Sequence, residues 1–150
     1  MTADALQEYI KDMKYKAAFH VFLEGYVPKS LNVGMRTNGF KRSRLKKELF
    51  ERIAMTGLAT IGHAQANEKR GVVFVQERAR FLDRVNLWGS VKAMEDCLKP
   101  TVMRRGKAVA GLGVIFDDDA KHCELKVFQA KAKKKDQGTN IVILIGEEGR

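Results

Sequence analysis

Apolar residues recur along the chain with two periods. Leu6, Tyr9, Ile10 and Met13 stand three or four apart, which predicts a short amphipathic helix over residues 3–14. Residues 17–23 (AAFHVFL) read as a strand, stopped by Gly25 and Pro28. A polar stretch follows over 27–39. Leu45, Leu49 and Ile53, with Phe50 and Leu58, then form the apolar stripe of the longest helix, residues 40–58. A loop over 60–70 holds His63, and residues 71–82 (GVVFVQERARFL) start as a strong strand and turn polar. Leu87, Val91, Met94 and Leu98 give a third helix face, which Pro100 ends. Beyond it lie a loop rich in Gly and Arg (104–113), the run Val114-Ile115-Phe116 and three aspartates. Residues 124–132 read as a strand and 131–138 as a basic turn; residues 139–145 are a last strand, apolar enough to be central. That order predicts an antiparallel hairpin closing the sheet. The expected architecture is α/β in composition: a single mixed-sheet α+β domain with about four strands and two to three helices.

Charge changes the picture most. Lys and Arg total 28 against 18 acids in 150 residues, a net charge of +10 and a pI near 9.8. Such a balance points first to an anionic partner, and above all to nucleic acid. A membrane surface fits less well, because the basic residues are spread over several segments. No apolar run approaches the ~18 residues of a membrane helix, and the opening residues carry no signal-peptide core. Cys97 and Cys123 are too few for a disulfide framework. A cytoplasmic setting is expected. Candidate phosphate contacts are Lys29, Asn32 and Arg36 in the 27–39 loop, and Lys41, Arg42, Arg44, Lys46 and Lys47 on the long helix. Lys131, Lys133 and Lys134 in the basic turn join them. A solvated helix face accounts equally well for the helical set.

Two acidic positions stand out in so basic a chain. Asp83 lies where a strand gives way to a helix, and Asp117, Asp118 and Asp119 follow a buried-looking run. Carboxylates converging from strand ends suit Mg²⁺, which takes oxygen ligands. A helix cap at Asp83 and a turn at 117–119 are the plainer explanations. No phosphate loop or dinucleotide fingerprint occurs, so no small-molecule cofactor is expected. His122 and Cys123 lack zinc spacing, and His63 has no matching nucleophile. Trp88 suits core or groove lining, or base stacking.

Taken together, several segments resemble the RusA-like Holliday-junction resolvases of phages and prophages. They are Asp83-Arg84-Val85-Asn86-Leu87, then Lys92 and Asp96-Cys97-Leu98, then Gly113-Val114-Ile115-Phe116-Asp117-Asp118. The Pro28-Lys29-Ser30-Leu31-Asn32 loop and the closing basic turn and strand fit the same pattern, so the resemblance spans about residues 17–147. Residues 1–16 then form an N-terminal helical extension and 17–150 the endonuclease domain. The extension can pack on its own domain, the preferred reading, or add to a dimer contact.

The resemblance implies a small homodimer that binds branched DNA, the four-way junction, and nicks two strands symmetrically. Mg²⁺, or Mn²⁺ in its place, would be held by Asp83 and Asp118 with Asp117 beside them. Asp83, Asp118 and Lys92 would be the catalytic residues. One position departs: the family's second aspartate of D-x-D is Val85. In an extended segment residues 83 and 85 share a side, so this loss removes a carboxylate and should weaken the metal site. Either activity is reduced, or Glu77, of the same strand parity, substitutes, or the 117–119 acids suffice with water. The rival reading is a non-catalytic basic nucleic-acid-binding protein.

Overall fold

Val72, Val73, Phe74 and Val75 follow one another without a polar alternate, so their strand must be covered on both faces. The computed structural model, which describes residues 1–29 and 39–148, does so with helices on either side of a mixed sheet. In chain order the elements are α1 (Ala3–Ile10), β1 (Tyr15–Glu24), α2 (Gly39–Ala54), a 3₁₀ turn (Leu58–Ile61) and β2 (Arg70–Arg78). Then come α3 (Arg84–Ser90), α4 (Lys92–Leu98), β3 (Pro100–Arg104), β4 (Lys107–Leu112), β5 (Cys123–Lys131), a 3₁₀ turn (Lys134–Asp136) and β6 (Gly138–Glu147). The four-stranded sheet runs β1-β6-β2-β5, and β3 pairs with β4 apart from it. This is a single α+β domain.

Alternation along the strands sorts the core into two. Leu23, Val72, Phe74, Ile141 and Ile143 face α2, α3 and α4, where Leu49, Ile53, Leu87, Met94 and Leu98 meet them. Val73, Val75, Val142 and Leu144 face the other way, against Leu6 and Met13 of the N-terminal segment. The first helix therefore packs on its own sheet. Its start is fixed by Thr2, whose hydroxyl accepts from the Ala5 amide at 3.2 Å.

Four expectations need correction. The strand over 139–145 is central, but it does not form a hairpin with the strand before it. β6 lies between β1 and β2, antiparallel to both, while β5 pairs parallel with β2. Burial explains the choice: β6 is apolar on both faces, whereas β5 is only half-buried over most of its length and suits an edge. The link between them crosses the end of β2, where the Ala132 amide donates to the Arg78 carbonyl at 2.9 Å.

The Gly- and Arg-rich stretch is the β3–β4 hairpin, turned by Arg105 and Gly106 at φ 52° and 76°. The helix expected over 40–58 stops at Ala54, and Leu58 belongs to the 3₁₀ turn after Gly57 at φ 79°. The helix face over 87–98 is split at Val91 into α3 and α4. There the Ser90 hydroxyl donates back to the Leu87 carbonyl at 2.6 Å and accepts from Gln76 Nε2 at 2.9 Å. No helix among the described residues is long and apolar enough to cross a membrane.

Candidate active site and basic cleft

Asp83 is delivered by a clamped loop. The side-chain carbonyl of Gln129 on β5 accepts from the Leu82 amide at 3.0 Å, and its Nε2 donates to the Leu82 carbonyl at 2.8 Å. Gln137 holds the Ala79 amide in the same way at 2.9 Å. Asp83 then caps α3. One carboxylate oxygen accepts from the Asn86 amide at 2.9 Å, the other from Asn86 Nδ2 at 2.8 Å. These hydrogen bonds hold the exposed carboxyl below its ordinary range. Since residue 85 lies inside the helix, the extended parity expected for 83 and 85 does not apply. Val85 is 73% exposed on the first turn, with Trp88 on the next, and Phe81 is also exposed. An apolar ridge thus flanks Asp83, and Lys131 stands 5.7 Å over the Phe81 ring.

The three aspartates hang from a buried anchor. Val114 and Ile115 are fully buried, and backbone bonds tie Gly113 to Lys99 and Ile115 to Leu98. The Asp118 amide donates to Asp117 Oδ1 at 2.7 Å. Asp119 accepts from the His122 amide at 3.0 Å and lies 2.6 Å from its Nδ1, so His122 is spent on fastening this turn.

Asp118 is the hub of a charged cluster. Lys92 Nζ lies 2.8 Å from its Oδ2 and Lys99 Nζ 3.4 Å. Both lysines also reach Asp96, at 3.4 and 3.5 Å, and Lys46 of α2 reaches it from the other side at 3.1 Å. The Lys92 ammonium holds Asp118 far below the usual carboxylate range, and Asp118 in turn pushes Lys92 up. Burial works against the charged form of Asp96, but Lys46 and its fellow lysines keep it low.

Glu95 is different. Burial first, then hydrogen bonding to Asp118, pushes its carboxyl up to about 7. Its ordinary value is 4.5, so between these limits the folded chain holds a proton that the unfolded chain has released. Stability therefore falls as pH rises through that window. Glu95→Gln keeps the shape without the charge. In divalent-free buffer, its unfolding midpoint should drop less than the parent's between about pH 5 and 8. Parallel drops would clear Glu95 as the cause.

Beside this cluster runs a cleft of about 740 Å³ between the end of β1, α2 and the α3–α4 break. Lys29, Lys41, Arg42, Lys46, Arg52 and Lys92 line it, against Glu48 and Asp96. Of the expected phosphate contacts, the fold thus gathers Lys29, Lys41, Arg42 and Lys46 with Lys92. Arg44 and Lys47 are exposed on α2 but do not line the cleft, and Lys133 and Lys134 are exposed on the β5–β6 link. Asn32 and Arg36 lie outside the described residues.

Glu77 is on the wrong face to assist. It points to the α1 side, accepts from Asn140 Nδ2 at 2.9 Å and meets the N-terminal amine at 3.5 Å. Glu95 and Lys99 join the site without having been expected there, and Asp96, quoted above only for the resemblance, joins it as well. Lys92, Asp96 and Lys99 fall at i, i+4 and i+7, a spacing that reads as one charged helix face.

The donors are hard carboxylate oxygens, the kind Mg²⁺ takes. Among the described residues, however, no three His, Cys, Asp or Glu side chains are grouped to hold a metal ion. Asp83 is committed to Asn86, and Asp118 to lysines. The chain matches no family model, no curated protein and no solved structure.

Proposed function

We propose that the chain is a RusA-like, Mg²⁺-dependent endodeoxyribonuclease that resolves four-way DNA junctions by paired nicks. The observation that carries this reading is the 2.8 Å contact between Lys92 and Asp118. These residues lie 26 positions apart, and both belong to the set on which the resemblance rests. The basic cleft beside them supports a phosphate backbone as ligand.

Hydrolysis of a phosphodiester needs charge neutralised on the phosphate and a water set in line with the leaving oxygen. Lys92 is the residue suited to the first task, and the cleft lysines and arginines to holding the strand. Asp83, Asp117 and Asp118 would hold Mg²⁺ only once drawn together and released from Asn86 and the lysines, and the ion would then supply charge neutralisation and a more acidic water. Two symmetric nicks call for two sites related by a two-fold axis, hence a homodimer. The reading includes a cytoplasmic setting in a bacterial host and a phage or prophage origin.

A second reading has its own support. With Lys92 and Lys99 on Asp118 and Val85 beside Asp83, the site is balanced without a metal, as in a non-catalytic nucleic-acid-binding protein. A synthetic four-way junction and a linear duplex, each with Mg²⁺ or Mn²⁺, separate the two. Paired nicks near the crossover, absent from the duplex, are expected. Tight junction binding without nicks would favour the second reading, and no junction preference at all would sink the resolvase.

A further inference from the structure

The β3–β4 hairpin is used by nothing described so far. All ten residues from 101 to 110 are exposed, a ribbon bare on both faces. An isolated two-stranded ribbon is marginal in water, yet the root of this one is firmly built. A Cβ on Gly111 would stand 1.9 Å from the Lys99 carbonyl oxygen, so only glycine permits that approach. The Thr101 hydroxyl accepts from the Gly111 amide at 3.1 Å and donates to its carbonyl at 3.2 Å. The Gly113 amide closes the root on Lys99, whose ammonium lies 3.4 Å from Asp118. The ribbon thus rises from the edge of the charged cluster and reaches on the order of 16 Å from it, at ~3.3 Å per residue.

Its chemistry is one-sided. From Lys99 to Phe116 the chain has no acid, while Arg104, Arg105 and Lys107 crowd the tip. Arg105 adopts φ 52°, a conformation that Asn or Gly takes at lower cost, so the tip carries an arginine against a backbone preference. On the flanks Val102 pairs with Val109, and both are exposed, as is Met103. A protein partner laid against a flat ribbon would cover one face. A duplex groove covers both, and the major groove admits a two-stranded ribbon.

We propose that the β3–β4 ribbon is a second DNA-contacting element, inserted in a groove of the duplex arm beside the cleft. Arg104, Arg105 and Lys107 lie on phosphates there, and Val102, Met103 and Val109 against sugars and base edges. The inference rests on the DNA-binding part of the function proposed above.

The test is the combined variant Arg104→Ala, Arg105→Ala and Lys107→Ala, with junction affinity measured over a series of salt concentrations. All three side chains are exposed, so the unfolding midpoint should stay unchanged. The slope of log affinity against log salt should fall by about 2–3, near 0.9 for each phosphate that is no longer neutralised. A parent that binds the junction and a variant with the same slope would overturn the ribbon proposal alone. A parent that binds no DNA would overturn it together with the resolvase. Val102→Ser with Val109→Ser is the second probe. Weaker junction binding supports the groove. A changed oligomeric state with junction affinity intact would overturn it in favour of a protein interface.

Discussion

Asp118→Asn is expected to lower junction nicking by ~10²–10³-fold, the scale at which removing one charge-stabilising group acts. Junction binding should hold or tighten. Asp118 is a partly exposed carboxylate on which two ammonium groups converge. Beside a basic cleft, a carboxylate that holds no metal cation repels the phosphates the cleft attracts. Asparagine removes one of the acids that hold Lys92 and Lys99, leaving both more available to a phosphate, while taking away the acid that catalysis would need. Affinity and cleavage should therefore move apart, which a general loss of folding cannot produce. Weakened binding with no nicking to lose in the parent would instead identify Asp118 as a brace for the two lysines.

Val85→Asp should change activity in the opposite direction. Val85 is solvent-exposed on the first turn of α3, and its amide faces the Asp83 carboxylate. An acid there suits the positive end of the helix, so the fold should accept it. Its carboxylate would lie on the first helical turn, two residues beyond the Asp83 cap, restoring the acid that D-x-D carries in the resembled family. Mg²⁺-dependent nicking should rise by at least ~10-fold, the lower end of what even an outer partner of a metal site contributes. An unchanged rate, with the parent already active, would mean that the site needs no carboxylate at 85. Nicking by the variant alone would describe a resolvase disabled at one position.

How far this is legible from the residues follows the range of the interactions involved. β2 and β6 can be read because Val72–Val75 and Ile141–Ile145 carry their own signal. The pairing of β5 with β2 rather than β6 cannot, since strand partners are chosen by burial over the whole sheet. At the β3–β4 hairpin the signal is present but masked. Arg105-Gly106 between Val102-Met103 and Ala108-Val109 is a turn between strands, while the density of Gly and Arg suggests a loop. Glu77 falls to a simple cause: its strand ends at Arg78, and its parity belongs to the α1 face. Asp83 suits both a cap and a ligand by its place in the sequence, and the fold displays the cap. The approach of Lys92 to Asp118 has no local signal, and only the resemblance links the two segments.

The strand order has a consequence for synthesis. β1 leaves the ribosome well before its one sheet partner among the described residues, β6, which lies more than 110 positions later. Until residues 138–147 are made, β1 cannot join β2, because β6 lies between them. The growing chain therefore carries an unpaired ten-residue strand, with Phe19 and Phe22 on it, while the residues between β1 and β6 are made. Non-local pairing of this kind folds slowly and exposes strand edges while it waits. A nascent chain stalled before Gly138 would present that edge to its neighbours, so the cell's holding chaperones would meet it before β6 does.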